Sequence, residues 1–367
     1  FSLANGRLPM PQWEWEALGI SLRNTLFGDG KHSAIRWKII VENTDSELRH
    51  LTLLLLTRPF AINQTFAPIC TIRSQHGRLL WVNGEPFMTA ATPASKTGAG
   101  LLSESMTAAL HGTVLARQRL TAATEADGVA VWAYPIDLKP GQSTKLHFAF
   151  PSTPGANFPS VEMPIDERMQ ETNQLWQQTS RAVKMILPDK SIEAGVTASL
   201  GYLLLALDPD GPHPGPLAHD AVWMRDAAYS GLALLQFGHG ESVRATVSAA
   251  LASQDPDGRI PPIRGDKAPW QDDEWDSQGQ AIFLANAYFQ YSRDESQLRA
   301  WYPKLRKAAQ YISHLRASTT ADNSTTRGLL PPSKSAEDLG PPEWHHYWDD
   351  FWGLAGLEHA ASIASIL

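Results

Sequence analysis

Residues 222–252 read VWMRDAAYSGLALLQFGHGESVRATVSAALA. On both sides of FGHGE the apolar positions recur every three to four residues, the period of an amphipathic helix rather than the alternation of a strand. A joint this short predicts two antiparallel helices, over 225–237 and 241–253. The same design recurs around YSRDES, with helices over 276–292 and 296–316, and single helical segments fall at 191–207 and 350–366. The connections after the first, third and fifth helices are long: DPDGPHPGPLAHDAVW, QDPDGRIPPIRGDKAPWQDDEW and TTRGLLPPSKSAEDLGPPEWHHYW. In an array of helical hairpins that alternation puts all three long connections at one end, which is where function should be sought.

Upstream the period changes. From Trp13 to about Phe150 the chain is a series of short β-like runs: AIRWKIIVEN, RHLTLLLLTRPF, RLLWVNG, TVLARQRLTAAT, GVAVWAYPIDL and TKLHFAFP. Turn residues (GDG, NTDS, HGR, ADG, KPGQ) separate them at spacings that predict an antiparallel β-sandwich over 1–160. The run LTLLLLT at 51–57 is expected to be a buried strand and is far too short to span a bilayer. A Pro-rich stretch opens the connector, expected over 161–190, and the helical domain follows over 191–367.

Composition narrows the partners. The 367 residues are 43% hydrophobic and 19% charged, enough for sizeable cores and two domains. A net charge of -7 gives no attraction to phosphate backbones, so neither nucleic acid nor a membrane is an expected partner. Cys70 is the single cysteine, which excludes an internal disulfide framework or a Cys-rich metal site. Asn63-Gln64-Thr65 and Asn323-Ser324-Thr325 match the glycosylation acceptor pattern. With no run long enough to span a bilayer, a soluble protein, cytoplasmic or periplasmic or secreted, is expected.

Three constellations on the long-connection face carry possible chemistry. In AVWMRDAAY, Trp223, Arg225 and Asp226 offer a stacking surface, a planar donor fork and an acceptor, which suits a polyhydroxylated ring. A capped helix start with a structural Arg–Asp pair reads equally well. In WQDDEWDSQGQAIF, Trp275 and Asp276 precede a helix among several acids, and Asp276 suits an N-cap or first-turn position. Asp272, Asp273 and Glu274 lack the alternating ligands and loop glycine of a calcium loop. In EWHHYWDDFW, residues 343–352, Asp349 and Asp350 sit at a helix start among Trp344, Trp348 and Trp352. Neighbouring residues diverge by roughly 100° around a helix, so at most one of the two points squarely into a pocket. Phe351 and Trp352 are expected in the core, with Trp348 and Asp349 facing a ligand. His345 and His346 lack the spacing of a zinc motif, and no cofactor is implied. With no GxSxG, Walker or GxGxxG anchor, carboxylate chemistry among tryptophans remains.

At this point the motifs resemble a family. WMRD opening the second helix and WDD opening the sixth, behind a β-sandwich, are similar to the six-hairpin (α/α)-barrel glycosidases, in particular the glucoamylases of glycoside hydrolase family 15. Segments similar to RPFAINQTF, VWMRDAAY, GLLPPSKS and HHYWDDFWGL also occur in uncharacterised bacterial proteins labelled as glycosidases. The resemblance implies an inverting glycosidase acting on an oligo- or polysaccharide. Asp349 or Asp350 would be the general acid, and Trp223, Arg225, Asp226, Trp275, Asp276, Trp344, His346 and Trp348 would bind sugar. Asp-Asp replaces the family's Glu-Glu, which leaves open which of the two is the acid. Six hairpins need twelve helices, so the resemblance also implies that this sequence holds the first half of the barrel, with the catalytic base outside it. A non-catalytic carbohydrate-binding protein, or a phosphorylase or lyase on the same barrel, are the alternatives.

Overall fold

The structure is a computed structural model, which describes residues 1–62, 65–121, 126–179, 183, 185–216, 219–265, 273–320, 325–334, 341 and 344–367. Asp272, Glu343 and the asparagines of both glycosylation patterns lie outside the described residues. The chain divides into two compact units, Phe1–Thr179 and Ser180–Leu367.

In the first unit the strands are β1 (Ser2–Ala4), β2 (Leu8–Ala17), β3 (Ile20–Asp29), β4 (Ala34–Asn43), β5 (Arg49–Thr57), β6 (Phe60–Ile62), β7 (Thr65–Ala67), β8 (Ile72–Gln75), β9 (Leu79–Val82), β10 (Glu85–Ala90), β11 (Lys96–Leu101), β12 (Arg119–Leu120), β13 (Gly128–Leu138) and β14 (Ser143–Pro151). Nine of them make an antiparallel sheet in the order β1-β2-β3-β4-β14-β10-β9-β8-β12, and β11-β13-β5 make a second one. Val41, Met88, Leu146 and Phe148 from the larger sheet share one buried core with Ala130, Trp132, Tyr134, Ile136 and Leu138 of β13. That every second residue of β13 faces this core is the period-2 signal of a sandwich strand.

Three details of the β region differ from the sequence expectation. Helix α1 (Leu102–Leu110) interrupts it, the described residues of the run TVLARQRLTAAT contribute only the two of β12, and β5 is half-buried rather than buried. The last follows from its place beside β13 at the end of the three-stranded sheet, where one neighbour is missing. Within the stretch expected as connector, residues 165–179 form α2 (Ile165–Thr179), which packs on β3 and the small core of Ala4, Leu8, Met10 and Phe27.

The second unit is helical: α3 (Lys190–Leu205), α4 (Met224–Gln236), α5 (Gly240–Ala252), α6 (Ser277–Ser292), α7 (Glu295–Ser318) and α8 (Tyr347–Ile366). Short strands β15 (Leu207–Asp208) and β16 (Gly211–Pro212) pair in the connection after α3, and β17 (Val222–Trp223) pairs with β18 (Ile263–Arg264). Helix α6 packs against both α4 and α8, while α5 and α7 pack behind it. Burial of α6 from Ser277 through Ala281 and on to Phe289, polar residues included, marks it as an inner helix. Two glycines let α6 and α8 meet: a Cβ on Gly279 would lie 2.0 Å from the Trp352 carbonyl oxygen, and one on Gly356 would lie 2.6 Å from Gly279 Cα. Among the described residues, no helix is long and apolar enough to cross a membrane.

Candidate active site

The first turns of α4, α6 and α8 converge. Arg225, in the first turn of α4, donates from Nε to Asp276 Oδ2 at 3.1 Å and from Nη2 to Glu274 Oε2 at 2.7 Å. Asp276 occupies the N-cap position of α6 yet makes no capping bond, because the same Oδ2 also accepts from Gln280 Nε2 at 2.7 Å and Trp348 Nε1 at 2.8 Å. One buried carboxylate thus ties three helix starts together, and the positive ends of the helix dipoles stabilise its charge. Burial works against the Arg225 charge, but Asp276 and Glu274 outweigh it and the guanidinium is held firmly protonated.

Asp349 sits one residue after Trp348 and is 3% exposed. Its Oδ2 accepts a short hydrogen bond from the Ser333 hydroxyl. Burial pushes its carboxyl up to about 7; the Ser333 bond and Arg225 oppose this, while the charges of Asp276 and Glu274 add to it. Burial likewise raises Glu274, partly offset by Arg225. Of the three carboxylates, Asp349 is the one bonded to a neutral hydroxyl while Arg225 binds the other two, and with burial this favours its protonated form.

Asp350 has a different environment. Its Oδ1 accepts from the Leu330 backbone N–H at 2.9 Å, which fastens the preceding connection to α8. The two histidines do the same work: His345 Nδ1 donates to the Leu330 carbonyl at 2.6 Å and His346 Nε2 to the Ser333 carbonyl at 3.1 Å. Trp344 is exposed, with its carbonyl accepting from Ser333 N–H.

The remaining residues singled out from sequence separate by burial. Trp223 is 8% exposed, packed with Ala221 and Ile263 and against the His219 ring; Trp275 is 7% exposed and donates to the Pro332 carbonyl. Asp226 is half-buried in the first turn of α4. Trp348 keeps 37% of its surface exposed while its indole nitrogen is held. Phe351, expected in the core, is instead 68% exposed, because α8 turns it onto the side away from α6; Trp352 packs edge-on against Tyr229, Phe283 and Trp348. Sequence reading attached no role to Ser333, Gln280, Gly279 or Gly356. The i, i+4 spacing of Asp276 and Gln280 was the one local signal available.

Among the described residues, Asp208, His213 and Asp220 bring three possible metal-ligand atoms within 4.8 Å. His213 Nδ1 lies 2.9 Å from Asp220 and Nε2 lies 3.0 Å from Asp210, an arrangement that an imidazolium satisfies by donating from both nitrogens. Burial lowers its pKa, but the bonds to Asp220 and Asp210 outweigh that and the net shift is upward.

No protein-family model matches the chain, and no curated protein matches it. Solved structures do. A bacterial glucoamylase complexed with acarbose superposes with a TM-score of 0.62 at 12% identity, covering 100% of this chain and 57% of that one. A protein described as a kojibiose phosphorylase, from the human microbiome, gives 0.50 at 8% identity, covering 97% and 51%. A rhamnosidase of Bacillus sp. GL1 gives 0.41 at 12% identity, covering 98% and 31%. The chain therefore shares its fold with the first two of these structures and spans about half the length of each.

Proposed function

We propose that the protein is a glycoside hydrolase acting by inversion, with Asp349 as the general acid. The observation that carries this reading is a desolvated carboxyl, raised to about 7, beside an exposed tryptophan face where three helix starts meet. A general acid must hold its proton at working pH and release it to the leaving oxygen, which a carboxyl of ordinary acidity does poorly. Asp350 is the structural member of the pair, since its Oδ1 is committed to the Leu330 N–H. Trp348 presents a ring for stacking on a sugar, and Asp226 lies in the adjacent helix turn. Arg225 serves by positioning: its fork is engaged by Glu274 and Asp276 rather than aimed at a ligand. In this reading a base across the sugar, roughly 6.5–9.5 Å from the acid, activates water.

The test is turnover of a panel of disaccharides, with and without added inorganic phosphate, by the protein and two variants. Asp349→Asn should lose roughly 10²- to 10⁴-fold in kcat. Asp350→Asn should keep most of its activity while losing on the order of 1 kcal/mol of stability. Wild-type turnover by Asp349→Asn would refute the assignment. Turnover only with phosphate would replace water by phosphate as the acceptor, in keeping with the fold shared with the kojibiose phosphorylase.

A further inference from the structure

The general acid has a second feature that concerns its oxygens individually. Ser333 is 2% exposed and its hydroxyl binds Oδ2 of Asp349. The hydroxyl is not free to wander, because the backbone around it is fastened on both sides. Ser333 N–H donates to the Trp344 carbonyl at 3.2 Å, its own carbonyl accepts from His346, and the next residue, Lys334, donates its N–H to the Asp273 carbonyl at 2.9 Å. Three residues earlier, Leu330 is held by Asp350 and His345. Leu330 and Ser333 are therefore both tied to residues at the start of α8, and Ser333 delivers one hydroxyl to one carboxylate oxygen.

We propose that Ser333 is the positioning residue of the acid: by occupying Oδ2 it leaves Oδ1 to carry the proton that goes to the glycosidic oxygen. The inference rests on the reading of Asp349 as the acid. In the step, the Oδ1–H bond breaks and its proton joins the leaving oxygen. That oxygen takes the electron pair of the broken C1–O bond, and water adds to C1 and yields its proton to a base. Asp349 is left as a carboxylate. The Ser333 O–H bond to it then becomes charge-assisted and strengthens, so it stabilises the transition state more than the ground state. A hydroxyl that only filled space would leave the acidity of Asp349 unchanged.

Two measurements test this. With aspartate labelled by 13C at Cγ, the Asp349 resonance is identified by its loss in Asp349→Asn and then titrated. Ser333→Ala should move its midpoint to higher pH, and Ser333→Thr, which retains the hydroxyl, should restore it. In kinetics, Ser333→Ala should lower kcat/KM on a disaccharide by about ten-fold or more, and by less on the 4-nitrophenyl glycoside of the same sugar, whose leaving group departs with little proton assistance. An unchanged midpoint, or equal losses on the two substrates, would overturn the role of Ser333 while leaving the acid assignment standing. Disaccharide turnover by Asp349→Asn at the wild-type rate would instead remove the acid assignment, and this proposal with it.

Discussion

Each unit contains an arginine bound to a buried carboxylate, and the two networks shift a neighbouring titratable group in opposite directions. In the β unit, Arg36 is 1% exposed, donates to Asp29 at 2.7 Å and to the Ser160 carbonyl at 3.0 Å, and faces His147. Arg168 stands 3.9 Å from the same Asp29. Arg168 also lies 3.2 Å from Glu171, so two carboxylates answer the two guanidinium groups there, and burial, with the charges of Arg36 and Arg168, pushes His147 down to about 4, so that it stays neutral. In the helical unit one guanidinium serves Glu274 and Asp276 with Asp349 nearby, and a carboxyl is pushed up to about 7. Around His147 burial and the two cations favour the neutral ring, whereas around Asp349 burial and the neighbouring carboxylates favour the protonated form.

The sharpest way to break this contrast is to remove each arginine. Arg225→Met leaves two buried carboxylates without their shared cation and should cost about 3–5 kcal/mol in chemical denaturation. Arg36→Met should cost less, because Asp29 keeps Arg168. Equal losses would mean that Arg168 does not compensate Asp29.

The pH dependence of the two networks should have opposite signs. For Asp349 the folded pKa of about 7 lies above the ordinary 3.8, so the folded state binds the extra proton and stability falls as pH rises from 3.8 to 7. For His147 the folded pKa of about 4 lies below 6.5, so the unfolded state binds the extra proton and stability falls as pH drops from 6.5 to 4. Each effect should be on the order of 3 kcal/mol, read as the pH-dependent difference between the wild type and Asp349→Asn or His147→Gln. Hydrogen exchange of core amides in α6 and in β13 assigns each slope to its unit.

A smaller effect sharpens the geometric side. Gly279→Ala forces α6 away from the Trp352 carbonyl and should cost about 1–3 kcal/mol. The same displacement lengthens the Trp348–Asp276 bond, so indole fluorescence should shift along with the loss of stability.

Much of the architecture was legible in advance because it rests on periodicity. The helix over 225–237 appears as Met224–Gln236 and that over 276–292 as Ser277–Ser292, since apolar spacing reports which face is buried whatever lies against it. The β-sandwich was legible from alternation in GVAVWAYPIDL, whereas α1 was not: its nine residues are too few to establish a helical period against the surrounding strands. In the site, Arg225, Asp276, Trp348 and Asp349 could be named from residue type and from their place at helix starts. Their pairing could not. Trp223 and Trp275 looked no different from Trp348 in sequence, and only packing separates two buried rings from one with an open face.

A β region followed by helical hairpins, a face gathering the long connections, and a supply of acids and tryptophans upon it can all be read along the chain. Those properties follow from local spacing and side-chain chemistry. No local pattern reveals that Asp276 is a junction rather than a cap, that Asp350 accepts a backbone N–H, or that Asp349 is buried against the Ser333 hydroxyl. Desolvation and charge summation depend on what the fold brings within a few ångströms, and residues 225, 276, 333 and 349 meet only once the glycines of α6 and α8 let those helices touch.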